Sequence, residues 1–123
     1  MTRVLVVDDE PWIAEVLARM LEDEGHKVET APNGAIALAK ITEEAFDLIV
    51  CDVHMPDLNG LGLYDEVKRL RPDLLPRIVF MTGSALSPAM EGYLARTGVP
   101  CLSKPFKEED VQRHAREAMK SGG

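Results

Sequence analysis

Two adjacent aspartates at the end of a short apolar run are the first residues in this sequence suited to chemistry. The apolar residues 4–7 lead directly into Asp8 and Asp9, and Glu10 follows them. Like charges side by side repel each other, and partial burial raises carboxylate pKa values unless a cation lies among them. The stretch therefore indicates a bound metal ion at the end of a buried strand.

Three further polar residues follow apolar runs of the kind that form buried strands. Asp52 follows LIVC, Thr82 follows IVFM, and Lys104 comes shortly after VPCL. In open sheets of parallel strands, ligands bind beyond the carboxyl ends of the strands. We therefore expect these three side chains to meet Asp8 and Asp9 at one edge of a sheet.

This set of side chains is suited to phosphoryl chemistry. The three aspartates offer the hard oxygen ligands that Mg²⁺ prefers, and this ion commonly shares its coordination shell with phosphate. Thr82 can donate a hydrogen bond to a phosphoryl oxygen, and Lys104 can place a positive charge beside it. Because Asp52 stands alone opposite the Asp8 and Asp9 pair, we predict that it is the nucleophile and becomes an aspartyl phosphate.

Apolar runs alternate with segments of helical spacing along the whole chain, and a weaker fifth strand, KVETA, lies at residues 27–31. Such alternation is typical of a parallel sheet covered by helices. Right-handed crossovers place those helices on both faces of the sheet. The sequence therefore predicts an α/β fold of the (βα)5 type.

Five helices are expected between and after these strands. In the first, apolar residues recur at helical spacing from Pro11 to Gly25: Ile13, Val16, Leu17, Met20 and Leu21. Asn33 is predicted to cap the second helix, which runs through Ile41. The third helix is predicted from Gly60 to just before Pro72, with Tyr64, Val67 and Leu70 on one face. The fourth is predicted from Pro88 to Gly98, and the fifth over about residues 107–120.

Composition limits the classes of function. The net charge is -7, from 21 acidic residues against 14 lysines and arginines, which disfavours a surface that grips nucleic-acid phosphates. The amino-terminal region has neither a signal-peptide pattern nor a membrane span, so we expect a cytoplasmic protein without membrane contact. Its length suits one domain, predicted at residues 1–120, with a flexible tail at 121–123.

Four motifs in the chain resemble those of the response-regulator receiver domain of two-component signalling: VLVVDDEP, DLIVCDVHMPDLNG, IVFMTGSA and CLSKPF. The resemblance covers nearly the whole chain and implies a flavodoxin-like three-layer sandwich with strand order 2-1-3-4-5. It also implies phosphorylation by a sensor histidine kinase or a phosphotransfer protein, and a switched surface that binds a downstream protein, which the sequence leaves unknown.

The same resemblance assigns roles around the metal. Asp9 resembles the direct magnesium ligand, and Asp8 resembles its water-mediated neighbour. Asp52 resembles both a ligand and the residue that a kinase phosphohistidine phosphorylates. The backbone carbonyl of His54 completes the ligands that the protein is expected to supply.

Further positions resemble the parts of the family that respond to phosphorylation. Thr82 resembles the switch hydroxyl, Lys104 resembles the lysine that pairs with the phosphoryl group, and the bond from Lys104 to Pro105 resembles the family's cis peptide. The resemblance also implies that His54 and Ser84 flank the path of hydrolytic water, so we expect them to set the lifetime of the phosphorylated state.

Cys101 departs from the pattern, since receivers usually carry tyrosine, phenylalanine or histidine three residues before the lysine. A thiol does not fill the volume of a ring. We hypothesise that phosphorylation is retained while the usual coupling of threonine to an aromatic ring is weakened, or replaced by backbone motion in residues 84–86 and the fourth helix.

The two cysteines, Cys51 and Cys101, are expected to be reduced core residues. A zinc site with His54 is disfavoured because no pair among these residues has a recognised zinc spacing. A disulfide is disfavoured because the implied strand order places the fourth strand between them, which separates them by roughly 9–10 Å. Bridging requires Cα atoms within about 7 Å.

Other functions remain open on the sequence alone. A receiver-like binding module that works without phosphorylation is consistent with Cys101. An aspartyl-phosphate hydrolase is less favoured because His54 stands where such enzymes carry a second aspartate. A flavodoxin-like electron carrier lacks its phosphate-binding loop after the first strand. The last helix has few apolar positions, so we expect a monomer.

Overall fold

Five parallel strands form the centre of the protein, for which a computed structural model describes residues 2–53, 60–83, 88–103 and 107–122. The strands are β1 (Arg3–Val7), β2 (Lys27–Ala31), β3 (Leu48–Asp52), β4 (Ile78–Thr82) and β5 (Cys101–Ser103). Their order across the sheet is β2-β1-β3-β4-β5, with every neighbouring pair parallel. The predicted fold class and strand order are therefore confirmed.

Helices connect the strands and cover both faces of the sheet. They are α1 (Pro11–Glu22), α2 (Gly34–Glu43), α3 (Gly60–Leu70), α4 (Pro88–Thr97) and α5 (Glu108–Gly122). The last helix extends two residues beyond its predicted end at 120. A 3₁₀ helix at Pro72–Arg77 was not predicted. It begins at Pro72 because proline needs no backbone hydrogen bond in a first turn, even though the same residue cannot continue α3.

The alternation of side chains along the strands divides the core into two layers. Leu5 and Val7 of β1 belong to a cluster between the sheet and α2, α3 and α4, whereas Val4 and Val6 belong to a cluster beneath α1 and α5. Strands β1, β3 and β4 are buried on both faces, which explains their unbroken apolar sequences. Strand β2 lies at the edge with mixed exposure, which explains its weaker signal.

Local signals set several helix ends. Asn33 caps α2, since its side-chain oxygen accepts a hydrogen bond of 2.8 Å from the backbone N–H of Ile36. Gly25 and Gly98 follow α1 and α4 with φ angles of 90° and 71°. Glycine adopts these left-handed angles without the steric cost of a Cβ atom. These three predicted boundaries are confirmed.

Two apolar residues predicted to face the core are exposed instead. Val16 of α1 is 43% exposed, while Ile13, Leu17 and Leu21 are buried. Leu70 is 41% exposed because it is the last residue of α3, beyond the part of the helix that the sheet covers. The apolar stripe of α1 is therefore wider than its buried face.

Arg3 joins three elements at the edge of the sheet where β1 begins. Its guanidinium pairs with Glu29 of β2 and with Glu44, which follows α2. It also lies 4.9 Å from the ring centre of Phe46. Lys40 of α2 adds a second cation, with its Nζ 3.3 Å from a Glu29 oxygen.

In the described part of the chain, no helix has the length and apolar character needed to cross a membrane.

Candidate functional site

Four acidic side chains meet where β1 and β3 end. One carboxylate oxygen from each of Asp8, Asp9, Glu10 and Asp52 lies within 4.8 Å of the others. The convergence follows from the register, because Val7 pairs with Cys51 and the next residues of the two parallel strands are Asp8 and Asp52. Asp8 and Asp52 are buried, at 2% and 3% exposure, whereas Asp9 and Glu10 are exposed. The cluster thus has a buried floor and an open rim.

The turn after β1 fixes the orientation of Asp8. Its backbone N–H donates to the carbonyl of Ala31, at 3.1 Å, which continues the pairing of β1 with β2. One of its carboxylate oxygens accepts a hydrogen bond of 2.9 Å from the backbone N–H of Glu10. These two contacts hold the Asp8 carboxylate in place before α1 begins at Pro11.

Asp52 and Thr82 are the final residues of β3 and β4, rather than the first residues after them. Asp52 is in register with Met81, so Thr82 lies one residue further towards the same edge. The backbone N–H of Val53 donates to the carbonyl of Met81, at 2.9 Å, and extends the pairing past Asp52. Thr82 is 8% exposed, which places a hydroxyl-bearing residue in the buried part of this edge.

The donor set of the cluster fits a hard divalent cation. Carboxylate oxygens are preferred ligands of Mg²⁺, and the exposed rim leaves room for the waters that this ion retains. Four carboxylates at these separations would repel one another strongly, and a cation among them offsets that repulsion. Receiver domains bind Mg²⁺ at an acidic pocket of this kind.

Glu10 is the member of the cluster that we did not single out as a ligand from the sequence. It is the residue before α1, yet its side chain makes no capping hydrogen bond to that helix. Its carboxylate instead lies with the aspartates. Its position directly after Asp8 and Asp9 was the sequence signal for a metal ligand. A third consecutive acidic residue before a helix is, however, equally consistent with a residue that caps that helix.

Several predicted site residues lie outside the described part of the chain: His54, Ser84, Lys104 and Pro105. The structure brings together Asp8, Asp9 and Asp52 and places Thr82 at the same edge. It places Cys101 at the other end of β5, as the first residue of that strand.

The two cysteines lie on either side of Phe80 in the sheet. Phe80 pairs with Cys51 of β3 and with Cys101 of β5, so β4 separates the two thiols. Both are free, as predicted. Burial, and then the negative charge of Asp52, raise the pKa of each thiol.

Aromatic contacts to Phe80 come from α3. The ring of Tyr64 lies 6.0 Å from that of Phe80, and a second contact of 6.2 Å with edge-to-face geometry joins Tyr64 to Tyr93 of α4. The Tyr93 hydroxyl donates a hydrogen bond to the carboxylate of Asp65. Partial burial, and then this bond, raise the pKa of Tyr93. A chain of three rings therefore links β4 to α4.

Comparison with known proteins identifies relatives over nearly the whole chain. A family model, the response regulator receiver domain, matches residues 4–116. The response regulator receiver protein CpdR of Brucella abortus is 33% identical over 111 residues, which are 90% of this chain and 91% of CpdR. A probable transcriptional regulatory protein of Mycobacterium tuberculosis, TcrX, is 33% identical over 120 residues, which are 98% of this chain and 50% of TcrX.

Solved structures show the same likeness. The crystal structure of a CheY-like response regulator receiver domain protein from Methanospirillum hungatei superposes with a TM-score of 0.89 at 30% identity. The match covers 99% of this chain and 96% of that one. The chain spans 50% of TcrX and 26% of the transcriptional regulatory protein ZraR of Klebsiella oxytoca, which is 32% identical over 116 residues.

Proposed function

The chain belongs to the response-regulator receiver domain family, and on this premise we propose that Asp52 accepts a phosphoryl group from the phosphohistidine of a sensor histidine kinase or a phosphotransfer protein. The observation that carries the proposal is the burial of Asp52, at 3% exposure, within a cluster of four carboxylates. Such a cluster is costly without a cation. It holds two buried carboxylates, those of Asp8 and Asp52, below an open rim, and we assign the nucleophile to Asp52, which ends the central strand β3.

In the proposed step, a carboxylate oxygen of Asp52 attacks the phosphorus atom of the donor. A P–O bond forms as the P–N bond to the imidazole breaks, and the imidazole leaves with the electron pair and takes up a proton from solvent. The product is an acyl phosphate on Asp52. The protein contributes mainly the positioning of this carboxylate, because phosphoryl transfer depends on alignment and charge stabilisation.

Mg²⁺, when bound, would neutralise charge on the transferred phosphoryl oxygens. Asp8, Asp9 and Asp52 are the proposed ligands, together with the backbone carbonyl of His54, and Glu10 contributes a fourth carboxylate. The backbone hydrogen bond to Asp8 preorganises one of these groups before any ligand arrives. Exposed Asp9 and Glu10 leave the approach to Asp52 open.

Thr82 and Lys104 are the proposed phosphoryl-binding side chains. Thr82 ends the strand next to β3, from which its hydroxyl can donate a hydrogen bond to a phosphoryl oxygen. Lys104 would supply a positive charge. We propose that a hydrogen bond between Thr82 and the phosphoryl group alters the surface around α4, β5 and α5. Because Cys101 replaces the usual aromatic residue, the movement of an aromatic ring that accompanies this change in other receivers is weakened here. The domain therefore acts as a signalling switch rather than a turnover enzyme.

The exposed face of α1 is the proposed contact for the phosphoryl donor. Trp12 is 64% exposed and lies two residues after Glu10, next to the open rim of the acid cluster. With Val16 and Met20 it borders a depression of about 400 Å³. An exposed tryptophan beside a reactive site is typical of a protein interface. A donor helix seated there would bring its phosphohistidine to Asp52.

The direct test is intact-mass spectrometry after incubation with acetyl phosphate, with and without Mg²⁺. We expect one phosphoryl adduct that requires Mg²⁺ and is absent from Asp52→Asn. As a control, Asp73→Asn changes an exposed carboxylate of the 3₁₀ helix and should leave the adduct intact. An adduct of equal yield on Asp52→Asn would refute the assignment.

A binding module that works without phosphorylation is the second candidate, favoured by the thiol of Cys101 where receivers usually carry a ring. Under that reading, neither acetyl phosphate nor a histidine kinase would modify the protein, although Mg²⁺ would still bind. Such a result would replace the switch by a constitutive binding function.

A further inference from the structure

A groove between α3 and α4 lies away from the acid cluster and has two adjoining parts. The first part, of about 300 Å³, is lined by Tyr64, Asp65, Lys68, Tyr93, Arg96 and Thr97. The second part, of about 430 Å³, shares Tyr64 and Thr97 with the first. We call the first part the cationic end and the second part the apolar hollow of the α3–α4 groove.

The apolar hollow lies at the opposite edge of the sheet from the acid cluster. Its lining includes Ile78, which begins β4, and Pro100, which precedes β5. The acid cluster lies where the parallel strands end, roughly 13–16 Å away for strands of this length. Leu75, Pro76, Val99 and Ala118 add to the apolar lining, and the side chains of Leu75, Pro76 and Val99 are not fully buried.

The cationic end carries two positive charges that form no ion pair within the described part of the chain. Lys68 and Arg96 are exposed, and neither forms an ion pair with any residue that the structure describes. The nearby Arg69 differs, since it pairs with Glu66 at 2.7 Å. Arg96 lies over the ring of Tyr93 at 6.0 Å, which holds its charge at the groove.

The acidic residues that border the groove offset these cations only in part. Asp65 lines the cationic end and accepts a hydrogen bond from the Tyr93 hydroxyl, but it forms no ion pair with Lys68 or Arg96, and the two cations outnumber this single carboxylate. Glu117 of α5 lines the apolar hollow rather than the cationic end. Charge therefore differs between the two ends of the groove, positive beside Lys68 and Arg96 and negative beside Glu117.

We propose that the α3–α4 groove binds an acidic segment of a partner protein, which places one apolar side chain in the hollow and carboxylates beside Lys68 and Arg96. A free inorganic anion would use the cations but leave the hollow empty. A nucleic acid is disfavoured by the net charge of -7. Glu117 fixes the direction of the segment, because its repulsion keeps the carboxylates at the cationic end.

The proposal goes beyond phosphoryl acceptance and does not require it, since the apolar hollow lies where β4 and β5 begin, whereas Asp52 lies where β3 ends. Its test therefore uses the unphosphorylated full chain without a phosphodonor. A failure of phosphoryl transfer would leave the result of this test unchanged, and the two proposals are separable.

The probe is a short capped peptide in which a single leucine is followed by glutamates, titrated into ¹⁵N-labelled protein. We expect saturable shifts of the amides of Tyr64, Thr97 and Val99 below about 1 mM peptide. Replacing the leucine by serine should weaken binding about tenfold, because the hollow then gains no apolar contact. Replacing the glutamates by lysines should abolish it.

Variants locate the interaction. Lys68→Glu combined with Arg96→Glu should weaken binding about tenfold or more, through repulsion of the peptide. The matched control reverses two exposed cations elsewhere, Arg19→Glu with Lys27→Glu, and should retain wild-type affinity. Circular dichroism verifies that both variants fold. The proposal is overturned if no saturable shift occurs, if the shifts map to α1 around Trp12, or if the two double variants lose affinity equally.

Discussion

Phe80 pairs with Cys101 in the register of β4 and β5, so a cysteine stands beside Phe80 at the position where receivers usually carry an aromatic ring. Tyr64 packs against Phe80 from α3 and touches Tyr93 of α4. Among the described residues, aromatic contact between β4 and α4 is therefore made through α3.

The hydrogen bond from Tyr93 to Asp65 should stabilise the attachment of α4 to α3. Removing the hydroxyl with Tyr93→Phe keeps the ring contact with Tyr64 and is expected to lower the free energy of unfolding by about 0.5–1 kcal/mol. Urea denaturation followed by circular dichroism measures the change in the free energy of unfolding. Tyr64→Phe removes a hydroxyl for which the described residues supply no hydrogen-bond partner, and it should change stability less. Equal losses in the two variants would contradict the role of the bond.

The sequence was sufficient to predict the parts of the fold that depend on local pattern. Strands β1, β3 and β4 are buried on both faces, so their apolar runs were unambiguous, and Asn33 and Gly98 mark helix ends by their own chemistry. The acid cluster followed because parallel strands bring their carboxyl ends together.

Other features depend on contacts that no local pattern contains. The rings of Tyr64, Phe80 and Tyr93 come from three separate elements, and their spacing along the chain says nothing about their contact. Val16 has the periodicity of a core residue, yet the neighbours of α1 cover a narrower stripe than the helix offers. These outcomes are set by tertiary packing rather than by propensity.

Glu29 should make stability depend on pH at the acidic end of the range. Its hydrogen bond from Arg3 holds the pKa of the Glu29 carboxyl below its usual value of 4.5. A carboxyl with a lowered folded-state pKa stabilises the fold above its unfolded pKa, and this contribution is lost as pH falls below 4.5 and through the folded-state value. Glu29→Gln should therefore lower the melting temperature at neutral pH and reduce the difference from wild type in acid.

The control for Glu29 is Glu43→Gln, at an exposed position with no described ion pair. Thermal melts of both variants and the wild type, from neutral pH to about pH 3, provide the comparison. A constant difference between Glu29→Gln and the wild type over this whole range would show that the charge of Glu29 is not responsible.

Glu10 is expected to contribute to Mg²⁺ binding although the motif resemblance did not single it out. Because its oxygen lies within 4.8 Å of those of the three aspartates, Glu10→Gln should weaken Mg²⁺ affinity, by about threefold to tenfold, through loss of charge at the rim. Trp12, the only tryptophan, lies two residues away and provides a fluorescence signal for the titration. Glu15→Gln, an exposed change in the next part of α1, should leave the affinity unchanged. Identical titrations for the two variants would place Glu10 outside the binding set.

Trp12 is expected to matter for transfer from a protein donor but not for transfer from a small molecule. Trp12→Ala removes an exposed side chain beside the acid cluster without changing any carboxylate, so labelling of Asp52 by acetyl phosphate should keep its wild-type rate. Transfer from a histidine kinase that phosphorylates the wild-type chain should slow by about tenfold or more, as expected for an aromatic anchor at an interface. The matched control is Ile36→Ala, which removes an apolar side chain, 42% exposed, from α2. Rapid-quench assays with both donors separate the effects: parallel losses with kinase and acetyl phosphate would mean that Trp12 supports the site itself, whereas a loss confined to the kinase reaction identifies α1 as the docking face.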